Sequence, residues 1–346
     1  MIKELNYTES YGKRLAKKRD TMNFPRDIIF EVTRHCNLHC RHCYIAPEPN
    51  KRELSAEEIK SIFDQLVEAG CLHVTLTGGE PMIRKDIFDI MDYGRRVGLF
   101  IHLFTNSTFI TSKEAVQLSE FRFVSLEISL HSLKKERFDY FTQFPGSYEK
   151  VMKAIALLKK RRIPLALKIN ITKLNLDEIE DLKKFVDDLE ITPEWATIIM
   201  PKPNGSKNNL ALRLSPEEIF KVNEILFPNQ DETSDDKEIE EKNWVKGRLF
   251  QCGAGKKSLS ITPYGELKPC LEFPFPAYSI LDGSLKEGWV KLKTYIDSFK
   301  PNSEYKCFDC KLRDFCGSCP AKAYLECGDM NGCPEYYRGL AELARA

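Results

Sequence analysis

The chain has almost no net charge: 52 lysine and arginine residues stand against 51 aspartate and glutamate residues, for a formal net charge of +1 over 346 residues. That balance excludes a global electrostatic pull toward nucleic acid or an anionic membrane, so partners have to be read from local sites. Long apolar runs are also missing. No stretch reaches the roughly 18 consecutive apolar residues of a spanning helix, and Met1 to Asp20 is polar, without the apolar segment of a secretory signal. The expectation is a cytoplasmic protein with no membrane and no nucleic-acid partner. Core material is not lacking, since 42% hydrophobic residues suffice for a barrel-sized domain plus a smaller unit.

What the chain does have is cysteine, twelve in all and unevenly placed. Cys36, Cys40 and Cys43 fall together, Cys71 stands alone, and Cys252, Cys270, Cys307, Cys310, Cys316, Cys319, Cys327 and Cys333 crowd the last third. In a long chain without a signal, clustered spacings point to metal binding or catalysis rather than to a disulfide framework. Cys71, at a helix-to-strand junction with no partner in sequence, reads as a buried structural thiol.

Between these groups, short β-rich runs alternate with amphipathic helices. Strands are expected over Asp27 to Thr33, His73 to Thr77, Leu99 to Thr105, Phe123 to Leu130, Pro164 to Ile171 and Trp195 to Met200. The first helix is marked by a capping box, Ser55 with Glu58, by an apolar face of Ile59, Ile62, Phe63, Leu66 and Val67, and by Gly70 as the stop. Further helices are expected over Lys85 to Val97, Lys113 to Ser119, Tyr148 to Arg161 and Asp177 to Leu189. Six strands with helices between them imply a parallel sheet, either open and doubly wound or closed as a barrel. After Met200 the alternation breaks; Ser215, Pro216 and Glu218 start another helix, and Asp231 to Lys242 is a highly charged, solvated stretch.

The segment Cys36-Asn37-Leu38-His39-Cys40-Arg41-His42-Cys43 places three soft ligands on one loop directly after the first strand. Such a loop suits an iron-sulfur cluster, in which three thiolates leave one iron of a 4Fe-4S cube open to a ligand that is not protein. A zinc site completed by His35, His39 or His42 is the alternative. Thr77-Gly78-Gly79-Glu80-Pro81 ends the second strand, at the mouth of the sheet where β/α folds place their chemistry. Glycines there admit close backbone approach, and a carboxylate accepts hydrogen bonds from an ammonium.

The Cys-x3-Cys-x2-Cys spacing followed by Gly-Gly-Glu-Pro resembles the signature of the radical S-adenosylmethionine (radical SAM) superfamily. The resemblance implies a partial (β/α)6 TIM-like barrel over residues 25–210, after an N-terminal extension over 1–24. It implies a 4Fe-4S cluster on Cys36, Cys40 and Cys43, whose open iron is chelated by S-adenosylmethionine. Cleavage of that cosubstrate gives a 5′-deoxyadenosyl radical. Contacts to the cosubstrate would come from Gly78, Gly79 and Glu80, from Tyr44 near adenine, from Ser129 at the ribose, and from Asn106 and Lys168 at strand ends. Glu127 and Asn170 occupy similar positions. For these last polar residues a capping or turn-forming role is the alternative. His42 departs from the aromatic residue common before the third cysteine.

The eight C-terminal cysteines would fill two auxiliary 4Fe-4S clusters, with two structural zinc sites as the alternative. Cys252, then Gly265-x4-Cys270, then Cys307-x2-Cys310-x5-Cys316-x2-Cys319 resembles the SPASM domain, here a small cysteine-rich iron-sulfur domain over 246–346 behind a helical and charged linker over 211–245. The resemblance groups Cys252, Cys270 and Cys319 in one cluster and Cys307, Cys310 and Cys316 in the other, with Cys327 and Cys333 as competing final ligands. Cys316-x2-Cys319 departs from the usual Cys-x3-Cys. Gly253-Ala254-Gly255-Lys256-Lys257-Ser258 does not meet the phosphate-loop pattern.

The resemblance implies an enzyme that abstracts hydrogen from a peptide or protein substrate, with a reductant such as flavodoxin or ferredoxin. Modification of a small molecule of tetrapyrrole or aminosugar type is a second reading; the barrel's start within about 30 residues, leaving no room for an N-terminal peptide-recognition domain, weighs toward it. A non-catalytic iron-sulfur protein for electron transfer or scaffolding is a third. An open iron argues against that one, because electron transfer does not need it.

Overall fold

The computed structural model describes residues 27–46, 48, 50–121, 125–228 and 244–345. The expected N-terminal extension and the charged stretch 231–242 lie outside the described residues.

Strand β1 (Asp27–Thr33) shows how the sheet is built. Ile28, Phe30 and Val32 are buried on one face, where Phe30 meets Phe63 edge-on with ring centroids 6.2 Å apart. Period-two alternation turns Ile29, Glu31 and Thr33 to the other face, the barrel interior. Phe63 belongs to α1 (Ala56–Glu68), which begins with the expected capping box: Glu58 N donates to Ser55 Oγ (3.2 Å) and Ser55 N to Glu58 Oε2 (2.8 Å). Gly70 follows it at φ 89°.

The remaining units are β2 (His73–Gly78), α2 (Ile87–Arg96), β3 (Phe100–Thr105), α3 (Ser112–Glu120), β4 (Ser125–Leu130), α4 (Lys135–Thr142), α5 (Ser147–Lys160), β5 (Leu165–Asn170), α6 (Ile179–Asp188) and β6 (Thr192–Ala196). Strands β1 to β6 pair in chain order, all parallel, with helices over their outer face. This is the expected partial (β/α)6 barrel.

Two elements differ from expectation. The sixth strand is Thr192–Ala196 rather than Trp195 to Met200. It is a short edge strand paired only with β5, its residues half-buried or exposed, so it carries no apolar alternation. Pro193 is tolerated at that edge. The apolar run that marked the strand follows it, with Ile199 buried beyond the sheet. Helix α4 was not expected. At eight residues it offers only Phe138 and Phe141 as a buried apolar pair, too little periodicity to read from sequence.

Past the barrel, α7 (Pro216–Leu226) starts with the Ser215 and Glu218 box. Strand β7 (Ser258–Ile261) then returns to pair in parallel with β1, and β8 (Glu266–Lys268) and β9 (Tyr278–Ser279) continue antiparallel. The sheet therefore has nine strands in the order β6-β5-β4-β3-β2-β1-β7-β8-β9, and the cysteine-rich region is hydrogen-bonded to the first strand of the barrel. Helices α8 (Leu285–Ser298), α9 (Pro320–Cys327) and α10 (Glu335–Arg345) complete it. A second apolar cluster forms around Phe250 and Phe273, whose rings lie 5.7 Å apart. At the seam, Tyr336 donates to Leu214 O (3.1 Å) and the Arg213 guanidinium sits 3.6 Å over the Tyr336 ring while pairing with Glu326. Cys71 is buried, as expected of a structural thiol, and burial pushes it up to about 12. Among the described residues no helix is long and apolar enough to cross a membrane.

Candidate active site

The loop carrying Cys36, Cys40 and Cys43 leaves β1 at the C-terminal edge of the sheet, and several elements hold it there. Glu53 accepts from Thr33 Oγ1 (2.8 Å) and Arg34 N (2.6 Å). His39 N and Arg41 N donate to the carbonyls of Thr142 and Phe141, each at 3.0 Å. The short helix α4 is thus the support of the cysteine loop.

From below, the Gly78-Gly79-Glu80 segment crosses the loop's first residues. Gly79 N donates to Thr33 O and Glu80 N to His35 O, both at 2.8 Å. Contact this close leaves no space for side chains. A Cβ at Gly78 would lie 2.1 Å from Thr33 O, and one at Gly79 would lie 2.2 Å from His35 O. Gly78 also has φ +130°, which favours glycine.

Glu80 is fully buried, and its carboxylate is a strut between strand ends. Oε1 accepts from Met82 N (2.9 Å) and Thr105 Oγ1 (2.6 Å), and Oε2 from Asn106 N (2.6 Å). Burial raises its pKa to about 7 against those three hydrogen bonds. Asn106 carries the connection to the cysteines, since its Nδ2 donates to Asn37 Oδ1 (3.1 Å) and reaches Cys36 Sγ at 3.7 Å. Glu80→Gln places an amide N–H against the Asn106 N–H. The expected result is a loss of about 1–3 kcal/mol from one unsatisfied buried donor, visible as a lower melting temperature of the purified protein. A melting temperature equal to the parent's would show that the carboxylate is not a strut.

The three thiols fit an iron-sulfur cluster. Burial pushes Cys36 up to about 11 and raises Cys40 and Cys43 as well; the charge of Cys43 adds to the rise at Cys36, and those of Cys43 and Cys36 to the rise at Cys40. Three half-buried thiolates of like charge on one loop require a compensating positive centre, which cluster iron would provide. Of the histidines of the zinc alternative, His42 packs 5.0 Å from His131 and 4.7 Å from Phe141, while His35, beside Glu53, and His39 are exposed.

Below the loop the barrel interior is polar. Tyr44, adjacent to Cys43, directs its hydroxyl to Glu31 Oε1 (3.5 Å), and Arg34 Nη1 lies 2.9 Å from the same oxygen. Burial raises the Glu31 carboxyl, while Arg34 and Lys268 oppose the shift. Lys268, buried on β8, donates to Leu271 O (3.1 Å) beside Cys270. Ser129 and Lys168 pair in register across β4 and β5, and Lys168 in turn opposes Glu194 on β6. The Lys168 ammonium also lies 5.1 Å over the Phe104 ring. Asn170 gives its carbonyl to Asn175 (2.9 Å). Sequence reasoning missed Glu31, Arg34 and Lys268. An acidic residue at an inward position of an otherwise apolar strand was the available signal for Glu31.

In the C-terminal region, Cys252, Cys307, Cys310, Cys316, Cys319 and Cys333 line one cavity of 580 Å³. Cys270 stands at its side, raised to about 12 by burial and next by Glu272, with Cys319 and Cys252 close enough to contribute. Cys333 is raised by burial and then by Cys316, Arg338 opposing. Cys327 directs its thiol to Ala323 O (3.0 Å).

A family model described as the Radical SAM superfamily matches residues 30–189. The AdoMet-dependent heme synthase of Oleidesulfovibrio alaskensis is 27% identical over 354 residues, covering 91% of this chain and 90% of that protein. The PqqA peptide cyclase of Bradyrhizobium diazoefficiens is 22% identical over 265 residues, covering 74% and 70%. In fold, the chain is similar to the crystal structure of Streptococcus suis SuiB bound to precursor peptide SuiA, with a TM-score of 0.70, 18% identity, and coverage of 95% of this chain and 79% of that one. Together with the cysteine loop stapled to Gly78-Gly79-Glu80, these similarities identify residues 30–189 as a radical SAM domain, in an enzyme whose barrel is followed by a cysteine-rich C-terminal region.

Proposed function

We propose that Cys36, Cys40 and Cys43 bind the 4Fe-4S cluster, that Gly78, Gly79, Glu80, Tyr44, Asn106, Ser129 and Lys168 form the surroundings of S-adenosylmethionine, and that the enzyme abstracts hydrogen from a peptide or protein segment. When bound, the reduced cluster supplies the electron that splits the sulfonium into methionine and a 5′-deoxyadenosyl radical. The chain's own residues orient that chemistry. The glycine crossing fixes the loop, Asn106 holds the Cys36 end, and the barrel wall keeps water from the radical. The reductant is of flavodoxin or ferredoxin type and the setting cytoplasmic.

The observation that carries the peptide reading is the interior itself. Glu127, Ser129, Lys168 and Asn170 are half-buried and alternate in charge and hydrogen-bonding type along β4 and β5, which suits a polar main chain. The name of the PqqA peptide cyclase agrees with it. A second reading, a tetrapyrrole substrate, is favoured by the end-to-end match to a heme synthase.

Two auxiliary 4Fe-4S clusters belong to the same proposal. Cys252, Cys270 and Cys319 would hold one. Cys307, Cys310 and Cys316 would hold the other, with Cys333 rather than Cys327 as its fourth ligand, because Cys333 faces the shared cavity and the Cys327 thiol is committed to a carbonyl.

The deciding experiment is anaerobic reconstitution with dithionite and S-adenosylmethionine, in the presence of either a deuterated peptide encoded beside the gene or a deuterated iron porphyrin bearing propionates. Deuterium in 5′-deoxyadenosine from the peptide is the expected result. Label arriving from the porphyrin alone would replace the peptide reading with the tetrapyrrole one.

A further inference from the structure

At the opposite end of the barrel from the cysteine loop, four side chains on three strands form one connected hydrogen-bonded chain. His73 Nδ1 on β2 lies 3.2 Å from His102 Nε2 on β3. His102 Nδ1 lies 2.9 Å from Ser125 Oγ on β4. Ser125 Oγ reaches Glu127 Oε1, two residues further along the same face of β4, at 3.4 Å. His102 and Ser125 are register partners, so this path crosses the sheet and then climbs one residue pair toward the mouth. It stops two residues short of Ser129.

The outer end of the path meets solvent. The His73 ring stacks on Phe100 at 5.1 Å with 22° between planes, and Phe100 is 49% exposed. The inner end faces the barrel interior, where Lys168 and Glu194 are the charged neighbours of Glu127. Asp27 at the tip of β1 and His73 are the charged or titratable groups that act on His102. Barrel floors are ordinarily filled with branched apolar side chains; here the floor is a line of donors and acceptors.

We infer that Glu127 is the proton-exchanging carboxylate of the barrel interior and that Ser125, His102 and His73 are its relay to solvent at the N-terminal end of the sheet. One assignment of protons gives every link one donor and one acceptor: His73 Nδ1–H to His102 Nε2, His102 Nδ1–H to Ser125 Oγ, and Ser125 O–H to the Glu127 carboxylate. A proton taken from water by His73 Nε2 moves each hydrogen one link inward, and Glu127 changes from carboxylate to carboxylic acid. Run outward, the same links return the proton to water and restore the starting tautomers without turning either ring. Both histidines are neutral at the start of each direction. Burial keeps His102 below the ordinary imidazole range, which agrees with that state.

Hydrogen-atom abstraction carries proton and electron together and needs no base. A proton freed or consumed in any later step inside the barrel does need a route, and this path supplies one away from the cosubstrate. The inference does not depend on which substrate class is right, and 5′-deoxyadenosine formation does not report on it.

The test reads the relay directly, in oxidised holoenzyme labelled with 15N-histidine and 13C-glutamate, using variants whose iron content and visible spectrum match the parent. Exchange of the His102 Nδ1 hydrogen with water is measured by saturation transfer. His73→Gln keeps a hydrogen-bonding partner but cannot pass a proton, so exchange is expected to slow about tenfold or more, as it does in His73→Phe. A purely structural network would be rescued by glutamine, and parental exchange in His73→Gln overturns the relay. At the inner end, Ser125→Ala removes a hydrogen bond that stabilises the Glu127 carboxylate, so the Glu127 titration midpoint, assigned with Glu127→Gln, is expected to rise. An unchanged midpoint overturns the link between Ser125 and Glu127.

Discussion

Replacing Cys36, Cys40 and Cys43 together with alanine is expected to bring 5′-deoxyadenosine formation down to the level of the reaction without protein, and to remove about four irons per chain. These thiols are the donor set of the loop at the end of β1, and no other cysteine is near enough in the chain to replace them. The C-terminal cysteines belong to a region whose strands β7 to β9 extend the sheet on the far side of β1, so their iron, about eight per chain if two clusters are present, is expected to remain. Iron analysis with product quantification by mass spectrometry checks both parts at once. Residual 5′-deoxyadenosine well above the background would mean that the loop is not the site of cosubstrate cleavage. Loss of all iron would mean that the C-terminal region cannot assemble without it.

Gly79→Ala should be nearly as damaging although it removes no ligand. The added methyl would stand 2.2 Å from His35 O and 2.8 Å from Arg34 O, contacts that backbone atoms cannot relieve by rotating a side chain. Either the cysteine loop lifts or the Gly-Gly-Glu segment sinks, and both break the 2.8 Å bond from Glu80 N to His35 O. A displacement of about 1 Å in a positioned reactive group costs about 100-fold in rate. We expect a loss of that order in 5′-deoxyadenosine formation, with barrel iron below four per chain. Parental turnover with full iron would show that the crossing is looser than the geometry says.

The two substitutions also separate what was legible in the chain from what was not. Cysteine spacing and the Gly-Gly-Glu-Pro segment could be read directly, because ligand geometry on one loop and backbone freedom at one turn are local properties. Strand β1 and helix α1 were legible for the same reason: alternation and a capping box are short-range signals. The sixth strand was not legible because an edge strand has little to bury, and the apolar run with a strand's pattern lies past it. Helix α4 stayed hidden because its eight residues hold too little periodicity, yet its last turn supplies the carbonyls that seat His39 and Arg41.

Glu80 shows the same divide within one residue. Its place in the motif marked it only by resemblance, as an expected cosubstrate contact. Only the fold shows its carboxylate spanning β2 and β3 to hold Asn106 against the Cys36 end of the loop.

The sequence alone carried the resemblance to a chemical class: three thiols spaced on one loop, a Gly-Gly-Glu segment at the end of the second strand, and a second cysteine group after the barrel. The tertiary structure decided everything that depends on residues far apart in the chain. It brought β7 beside β1, placed Lys268 near Glu31, and gathered Cys252 and Cys333 around one cavity. It also strung His73, His102 and Ser125 into a line ending at Glu127. Local motifs encode local geometry, whereas contacts across a sheet are set by strand order and register, which no single segment of the chain carries.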